Sequence, residues 1–228
     1  MTRAVLFDID GTLIHTGGAG VEAFDRAGHT AFGIRHGTRH MKFAGRTDTG
    51  LVREFFLHHG LEPSAANAQH FLDAYVFWLD HLLPHCTGDI CAGVKEFIRD
   101  LRAQKNPPQI GLLTGNIILG AQIKLGHYGL WEEFSMGAFA DDHEQRDLIA
   151  VAAHRRLEKI HAQKIHGEEI IVIGDTPHDI CCGRAIGARV LAVATGGSEF
   201  SELKQHTPDW CVQDLRELSA AEVCSGGL

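Results

Sequence analysis

The sequence predicts an α/β protein with a Rossmann-like three-layer core, a central parallel sheet and an α-helical cap domain inserted after the first strand. Short apolar runs that end beside Gly, Asp or Thr alternate with helical patterns, which is typical of parallel strands joined by helices. Residues 18–84 break this alternation, because they contain helical patterns and no convincing strand. We therefore predict a core domain of residues 1–17 and 85–228 and a cap domain of residues 18–84.

The core is predicted from four buried strands and the helical patterns between them. The strand runs are short, apolar and rich in β-prone residues, and the helical patterns are longer. The predicted strands are residues 4–9, 109–114, 169–175 and 189–195. The predicted helices are residues 94–104, 117–128, 145–160 and 178–186.

The cap is predicted from three further helical patterns. They cover residues 21–32, 47–59 and 64–83. Pro63 is well placed to open the third helix, since proline is favoured at a helix start. The two connections to the core, around residues 17–18 and 84–88, contain the Gly and Pro expected where one domain joins another.

Composition excludes several classes of partner. A formal net charge of −8 argues against a nucleic-acid or anionic-membrane surface, which needs clustered Lys and Arg, but it permits a small phosphorylated metabolite. The uncharged stretch 110–123 is too short and too polar to span a membrane. Six cysteines form no C-x-x-C pair, and an apolar strand begins almost at Met1, so we expect a cytoplasmic protein with reduced thiols.

The chain also contains 16 histidines, some of which are close neighbours in sequence. None completes a zinc-ligand spacing, so we interpret them as surface or partly buried polar residues. The groups considered are His81 with His85 and Cys86, His36 with His40, and His58 with His59.

Polar side chains follow the predicted strands, at the edge of a parallel sheet where ligands bind. They are Asp8, Asp10, Thr12, Thr114, Gly115, Asn116, Asp175 and Asp179. Carboxylates from two strand ends would repel each other unless a cation lay between them. Because the set offers hard oxygen ligands and no His or Cys, we predict Mg²⁺.

Asp8 and Asp10 are two residues apart at a strand end, so they point the same way at different depths. One can attack a phosphoryl group while the other moves protons, and an aspartyl-phosphate divides one hard displacement into two easier ones. Thr114 and the backbone amides of Gly115 and Asn116 are positioned to hold phosphoryl oxygens where a strand gives way to a helix.

Three motifs resemble signatures of the haloacid dehalogenase superfamily, and the resemblance is closest to phosphoglycolate phosphatase-like members with a small helical cap. The motifs are F-D-I-D-G-T-L from Phe7, L-T-G-N from Leu113 and G-D-T-P-H-D from Gly174. This resemblance implies Asp8 as nucleophile and metal ligand, Asp10 as acid/base with its carbonyl on the metal, Asp175 as a further ligand, and Asp179 as a ligand or the holder of a metal-bound water. Gly11 and Thr12, within the first motif, are candidate substrate-binding residues.

The sequence departs from the superfamily pattern at the lysine that many relatives carry before the fourth strand. This chain has no lysine there. Lys124 is similar to the lysine that some members use instead, and Arg146 is the alternative cation. In the cap, Arg46 resembles a residue of the loop that reaches over the active site in relatives, whereas Thr47 or Asp48 can equally cap the following helix.

The resulting functional prediction is a Mg²⁺-dependent phosphatase, with a sugar-phosphate mutase as the alternative because it would use the same residues. A haloacid dehalogenase fits poorly, because that chemistry needs no Mg²⁺ and lacks the acidic residue at the place of Asp10. A non-catalytic protein on the same scaffold is disfavoured by the intact Asp8, Asp10, Thr114 and Asp175. Glycolate phosphate, sugar phosphates and nucleotides all remain candidate substrates, and the sequence leaves the oligomeric state open.

Overall fold

The computed structural model describes residues 1–225 and contains a six-stranded parallel sheet in the order β5-β4-β1-β6-β7-β8. A separate two-stranded antiparallel pair, β2 with β3, flanks the helical insertion. The strands are β1 (Ala4–Phe7), β2 (Ile14–His15), β3 (Asp89–Ile90), β4 (Gln109–Leu113), β5 (Met136–Ala138), β6 (Ile170–Gly174), β7 (Arg189–Val193) and β8 (Trp210–Val212).

Helices cover both faces of the sheet and form the insertion. The first three lie within residues 18–84, and the others connect or follow strands. The helices are α1 (Ala19–Phe32), α2 (Asp48–His58), α3 (Ala65–Leu82), α4 (Val94–Arg102), α5 (Ile118–His127), α6 (Arg146–His161), α7 (Pro177–Ala185), α8 (Phe200–Gln205) and α9 (Ala220–Ser225).

Strand β1 lies at the centre of the sheet and pairs in parallel with β4 and β6. Alternate side chains point to opposite faces of a strand. Val5 and Phe7 therefore pack into one core cluster with α4, α5 and α9. Ala4 and Leu6 pack into another with α6 and α7. Because both faces are covered, the α/β three-layer prediction is confirmed.

All four predicted strands are present, but two edge strands were missed. Strands β5 and β8 are only three residues long, Met-Gly-Ala and Trp-Cys-Val. Such short runs show neither alternation nor a continuous apolar stretch. They pair with β4 and β7, respectively, and extend the sheet at both edges without changing its centre.

The helices α1 to α3 form their own apolar cluster over the carboxyl edge of the sheet. Aromatic rings dominate it, including Phe24, Phe55, Phe71 and Tyr75, all of them buried. Helix α3 begins one residue later than predicted, since Ser64 is its N-cap and Pro63 precedes the cap. The boundaries at residues 17/18 and 84/85 stay a prediction.

No helix among residues 1–225 combines the length and apolar character needed to cross a membrane. All six cysteines are free thiols, as the sequence predicted. The cytoplasmic location stays a prediction.

Candidate active site

Three buried carboxylates meet at the carboxyl edge of the sheet. Asp8 follows β1, Asp175 follows β6, and Asp179 lies in the first turn of α7. Since β1 and β6 are parallel neighbours, their carboxyl ends lie side by side. One oxygen from each of the three carboxylates lies within 4.8 Å of the others. The sequence had selected all three residues.

Hydrogen bonds fix two of these carboxylates in place. Asp175 accepts from the Thr12 hydroxyl at 3.1 Å and from the Gly197 amide at 2.7 Å. Asp179 accepts from the amide and the hydroxyl of Thr176, at 3.0 and 2.6 Å, in a capping box at the start of α7. The hydroxyl of Thr12, which was predicted to bind substrate, is directed to Asp175, and its contact with substrate stays a prediction.

Burial and neighbouring carboxylates raise the pKa of Asp8 and of Asp175. Burial raises the pKa of Asp8 to about 7; Arg146 opposes this rise, while Asp179 and Asp10 add to it. Burial also raises the pKa of Asp175 well above its ordinary value, with Asp179 and Asp8 as further causes. A hard divalent cation would relieve this repulsion, and the all-oxygen donor set fits Mg²⁺.

Both cations considered from the sequence lie in the site, but against different carboxylates. Arg146 Nη2 lies 3.4 Å from Asp8 Oδ1 and also bonds Asp179. Lys124 Nζ lies 2.7 Å from Asp10 Oδ2. Both cationic side chains are buried, so little water screens them.

Asn116 joins Lys124 to the end of β4. Its side-chain oxygen accepts from Lys124 Nζ at 2.6 Å, and its amide nitrogen donates to Asp10 Oδ2 and to the Thr114 hydroxyl, both at 2.9 Å. The Thr114 hydroxyl in turn faces Asp8 and lowers the pKa of that carboxyl. The L-T-G-N motif therefore contacts both carboxylates of the first motif.

Two backbone positions lie so close to Asp175 that only glycine fits there. Gly11 has φ +81°, and a Cβ there would lie 2.6 Å from Asp175 Oδ2. A Cβ on Gly196 would lie only 2.0 Å from the same oxygen. Gly196 and Gly197 were not selected from the sequence, although two adjacent glycines shortly after strand β7 were an available signal.

A cavity of about 300 Å³ opens over these carboxylates. Acidic and basic side chains line its floor, and residues of the helical insertion form the opposite wall. The floor contains Asp8, Asp10, Asn116, Lys124, Arg146 and Asp175, and the opposite wall contains Val21, Phe24, Phe43, Leu51 and Tyr75. None of these wall residues was selected from the sequence as part of the site, because nothing in the helical pattern shows which face meets the core.

The loop before α2 contains the helix cap considered for it and places Arg46 at the cavity. Thr47 is the N-cap of α2, accepting from the Gly50 amide at 3.1 Å and donating to the Glu144 carbonyl at 2.7 Å. Arg46 lines the cavity, and its guanidinium pairs with Glu54 at 2.7 Å. Contact between Arg46 and substrate stays a prediction.

Asp48, also missed as a site residue, connects the insertion to the core. Its side chain accepts from the Ile117 amide at 2.8 Å, and its own amide donates to the Gly115 carbonyl at 2.7 Å. Burial raises the pKa of Asp48 to about 6. A Cβ on Gly115 would lie 2.2 Å from the Arg46 carbonyl oxygen, so the loop rests directly on the core.

The fold and the site together define an enzyme with a buried carboxylate cluster at the edge of a parallel sheet, covered by a helical insertion. The model of the haloacid dehalogenase-like hydrolase family matches residues 5–193. The chain therefore belongs to the haloacid dehalogenase-like hydrolases, as the three sequence motifs predicted.

Individual relatives are distant but match over most of their length. The chain is 25% identical to pyrophosphatase PpaX of Halalkalibacterium halodurans over 219 residues, covering 95% of this chain and 94% of that protein. It is 23% identical to phosphoglycolate phosphatase 1 of Pseudomonas aeruginosa over 233 residues, covering 96% of this chain and 79% of that protein.

Solved structures share the whole fold. A family IA, variant 3 hydrolase from Entamoeba histolytica superposes with a TM-score of 0.76 at 21% identity, covering 98% of each chain. CbbY from Rhodobacter sphaeroides, solved in complex with phosphate, superposes with a TM-score of 0.67 at 17% identity, covering 87% of this chain and 88% of its own.

Proposed function

We propose that this chain is a Mg²⁺-dependent phosphatase that hydrolyses a small phosphomonoester through an aspartyl-phosphate on Asp8. The observation that carries the proposal is the pairing of Asp8 with Arg146 and of Asp10 with Lys124 on one cavity floor. Two carboxylates held by two different cations can have two different roles. Family membership and the names of the two relatives support the same reaction class.

The residues that would hold Mg²⁺ are Asp8, Asp175 and Asp179, with the backbone carbonyl of Asp10. When bound, the ion would neutralise charge on the phosphoryl oxygens and on the carboxylates. Asp179 already accepts bonds from Thr176 and Arg146, so it would hold the ion only indirectly. Asp8 and Asp175 are then the direct carboxylate ligands.

In the first half of the reaction, an Asp8 oxygen attacks phosphorus and the bond between phosphorus and the ester oxygen breaks. Arg146, beside Asp8, favours the ionised carboxylate that this attack needs. Asp10 gives its proton to the leaving oxygen. Lys124 and Asn116 both bond Asp10 Oδ2, so we assign proton transfer to Oδ1.

In the second half, Asp10 accepts a proton from water as that water attacks phosphorus. The bond between phosphorus and Asp8 breaks, which releases phosphate and restores both carboxylates to their starting state. Lys124 and the amides of Gly115 and Asn116 are the donors that we assign to the phosphoryl oxygens.

The cavity supports a small substrate. Its volume of about 300 Å³ accommodates the phosphoryl group and a short organic group. The organic group would contact the apolar wall formed by the insertion. Glycolate phosphate and sugar phosphates fit this description, and pyrophosphate deserves inclusion in any test because a relative is named for it.

The test is phosphate release from a panel of phosphomonoesters and pyrophosphate, with and without Mg²⁺, by the wild-type protein and Asp8→Asn. We expect Mg²⁺-dependent release by the wild type and none by the folded variant. Release by Asp8→Asn at the wild-type rate would refute the mechanism, and no release from any substrate would favour a non-catalytic role.

The same panel separates a phosphatase from the mutase alternative, which requires the same residues. A mutase returns the phosphoryl group to product through a bisphosphorylated intermediate. Stoichiometric free phosphate, with no bisphosphorylated species by mass spectrometry, is the outcome expected here.

A further inference from the structure

Three histidines from two segments meet on the outer side of the insertion, away from the carboxylates. His58 is the last residue of α2, His59 is its C-cap, and His40 lies in the turn that follows α1. One ring nitrogen from each lies within 4.8 Å of the others. The sequence had paired His40 with His36 and His58 with His59, so this convergence was not visible in it.

We propose that His40, His58 and His59 form a transition-metal site, with Zn²⁺ as the metal. This site is independent of the proposed phosphatase activity and chemically distinct from the carboxylate cluster. Imidazole nitrogens favour Zn²⁺, Cu²⁺ or Ni²⁺, whereas hard carboxylate oxygens suit Mg²⁺. Three imidazoles and a water complete a tetrahedral zinc shell.

The separation of the rings is compatible with one ion. Zinc–nitrogen distances of about 2.0–2.1 Å place tetrahedral ligands roughly 3.3 Å apart. The rings of His40 and His58 are stacked, with centroids 3.5 Å apart, and the rings of His58 and His59 lie 4.8 Å apart. The lone pairs of an imidazole lie in its ring plane, so the stacked rings must turn to converge on one ion, and the exposed side chains of His40 and His58 have the space to do so.

His59 has the outer-shell contact that metal-binding histidines use. Its Nε2 lies 3.0 Å from the Gly37 carbonyl oxygen. A carbonyl only accepts, so Nε2 carries the proton and the neutral ring keeps its Nδ1 lone pair for a metal. The ring is therefore already set in one tautomer.

The turn that carries His40 is held against α1 and α2 by contacts that do not involve the histidines. Asp25 accepts from both the amide and the hydroxyl of Thr38, at 3.2 and 3.0 Å. A Cβ on Gly37 would lie 2.5 Å from the Phe55 ring, so the turn packs directly on the helix. The three imidazoles are therefore presented by a fixed backbone.

Local charges are compatible with a bound metal cation. The carboxylate of Glu54 lies on the same surface as His40 and His58. The end of α2 adds the negative pole of the helix dipole. Two arginines of this surface are paired with carboxylates, Arg46 with Glu54 and Arg53 with Glu144.

The test is Zn²⁺ titration by calorimetry of the full chain in excess Mg²⁺, which occupies the oxygen site. We expect one equivalent to bind, and His40→Ala or His58→Ala to weaken binding about tenfold or more. His85→Ala is the matched control, because His85 is an exposed histidine beside His81 and far from the site in sequence. That variant should bind like the wild type.

Thermal unfolding provides the second measurement, since a ligand that binds only the folded state raises its stability. Zn²⁺ should raise the Tm of the wild type and of His85→Ala, but not that of His40→Ala. Equal binding by all four proteins, or no binding by the wild type, would overturn the proposal. Unfolding without metal verifies that each variant is folded.

Discussion

The carboxylate of Asp48 accepts a hydrogen bond of 2.8 Å from the backbone amide of Ile117. Asp48 begins helix α2 of the insertion, and Ile117 is the N-cap of α5 in the core. The bond therefore connects the helical insertion to the sheet beside the proposed active site. It also places a carboxyl group where burial raises its pKa to about 6.

This buried carboxyl makes stability depend on pH. The unfolded chain has a lower pKa for Asp48, so the folded state binds more protons between about pH 4 and 6. The stabilising contribution of the protonated form is present below about pH 4 and is lost as pH rises through 6. Above that pH, the rise of the Asp48 pKa from 3.8 to about 6 corresponds to a loss of roughly 3 kcal/mol in the free energy of unfolding.

We therefore expect Asp48→Asn to unfold at higher urea concentration than the wild type at about pH 8, and the difference to shrink at about pH 4. Its amide oxygen can still accept from Ile117. Asp48→Ala loses that acceptor and serves as the control for the hydrogen bond. A pH-independent difference between Asp48→Asn and the wild type would contradict the assigned cause.

Removal of Lys124 tests the cation that faces Asp10. Lys124→Ala deprives Asp10 and Asn116 of a buried partner. We expect kcat/KM to fall by about 100-fold or more, the effect of losing one preorganised donor. Steady-state kinetics on the best substrate of the panel measures it. If Arg146→Ala loses activity and Lys124→Ala does not, then Arg146 alone is the essential cation.

Arg146→Ala should affect stability as well as rate. It leaves Asp8, Asp175 and Asp179 together without their protein cation, and breaking a buried pair costs about 3–5 kcal/mol. Urea unfolding at neutral pH should show this loss without Mg²⁺ and a smaller loss with it. An equal loss in both conditions would count against Mg²⁺ binding by the carboxylates.

Contact between the insertion and the core is tested at two glycines. A Cβ on Gly115 would lie 2.2 Å from the Arg46 carbonyl oxygen, so Gly115→Ala should displace the loop and lower activity at least tenfold. Gly126, within α5, has open space around its Cβ position. Gly126→Ala should instead stabilise the protein by about 1 kcal/mol with unchanged kinetics. Equal activity in both variants would contradict the close contact.

The sequence predicted the carboxylate cluster because motif and topology agree at Asp8, Asp175 and Asp179. Parallel strands bring their carboxyl ends to one edge, so residues after β1 and β6 meet whatever the intervening loops do. The same logic located Thr114 and Asn116 after β4. Strand ends are thus the positions where sequence alone predicts three-dimensional neighbours.

Other contacts depend on how separate elements pack, and sequence patterns do not encode that. Asp48 is an ordinary residue for a helix start, and its bond to Ile117 requires the insertion to dock. His40 and His58 come together only because a turn packs on α2. Lys124 and Arg146 have different carboxylate partners because their helices lie at different places beside the site. A shift of a few ångströms would change these partners, and spacing along the chain does not determine where a helix lies to that precision.

Chemical trapping shows whether Asp8 carries the phosphoryl group during turnover. Asp10→Asn should slow hydrolysis of the intermediate, because no carboxylate then takes the proton from water, whereas a substrate with an acidic leaving group such as p-nitrophenyl phosphate still forms it without the proton of Asp10. Borohydride reduces an acyl phosphate to the alcohol, so acid quench and reduction after mixing with substrate and Mg²⁺ should convert Asp8 to homoserine, found by peptide mass spectrometry. Homoserine at Asp8 only in the presence of substrate is the predicted result; phosphate release with unmodified Asp8, or modification at another residue, would contradict it.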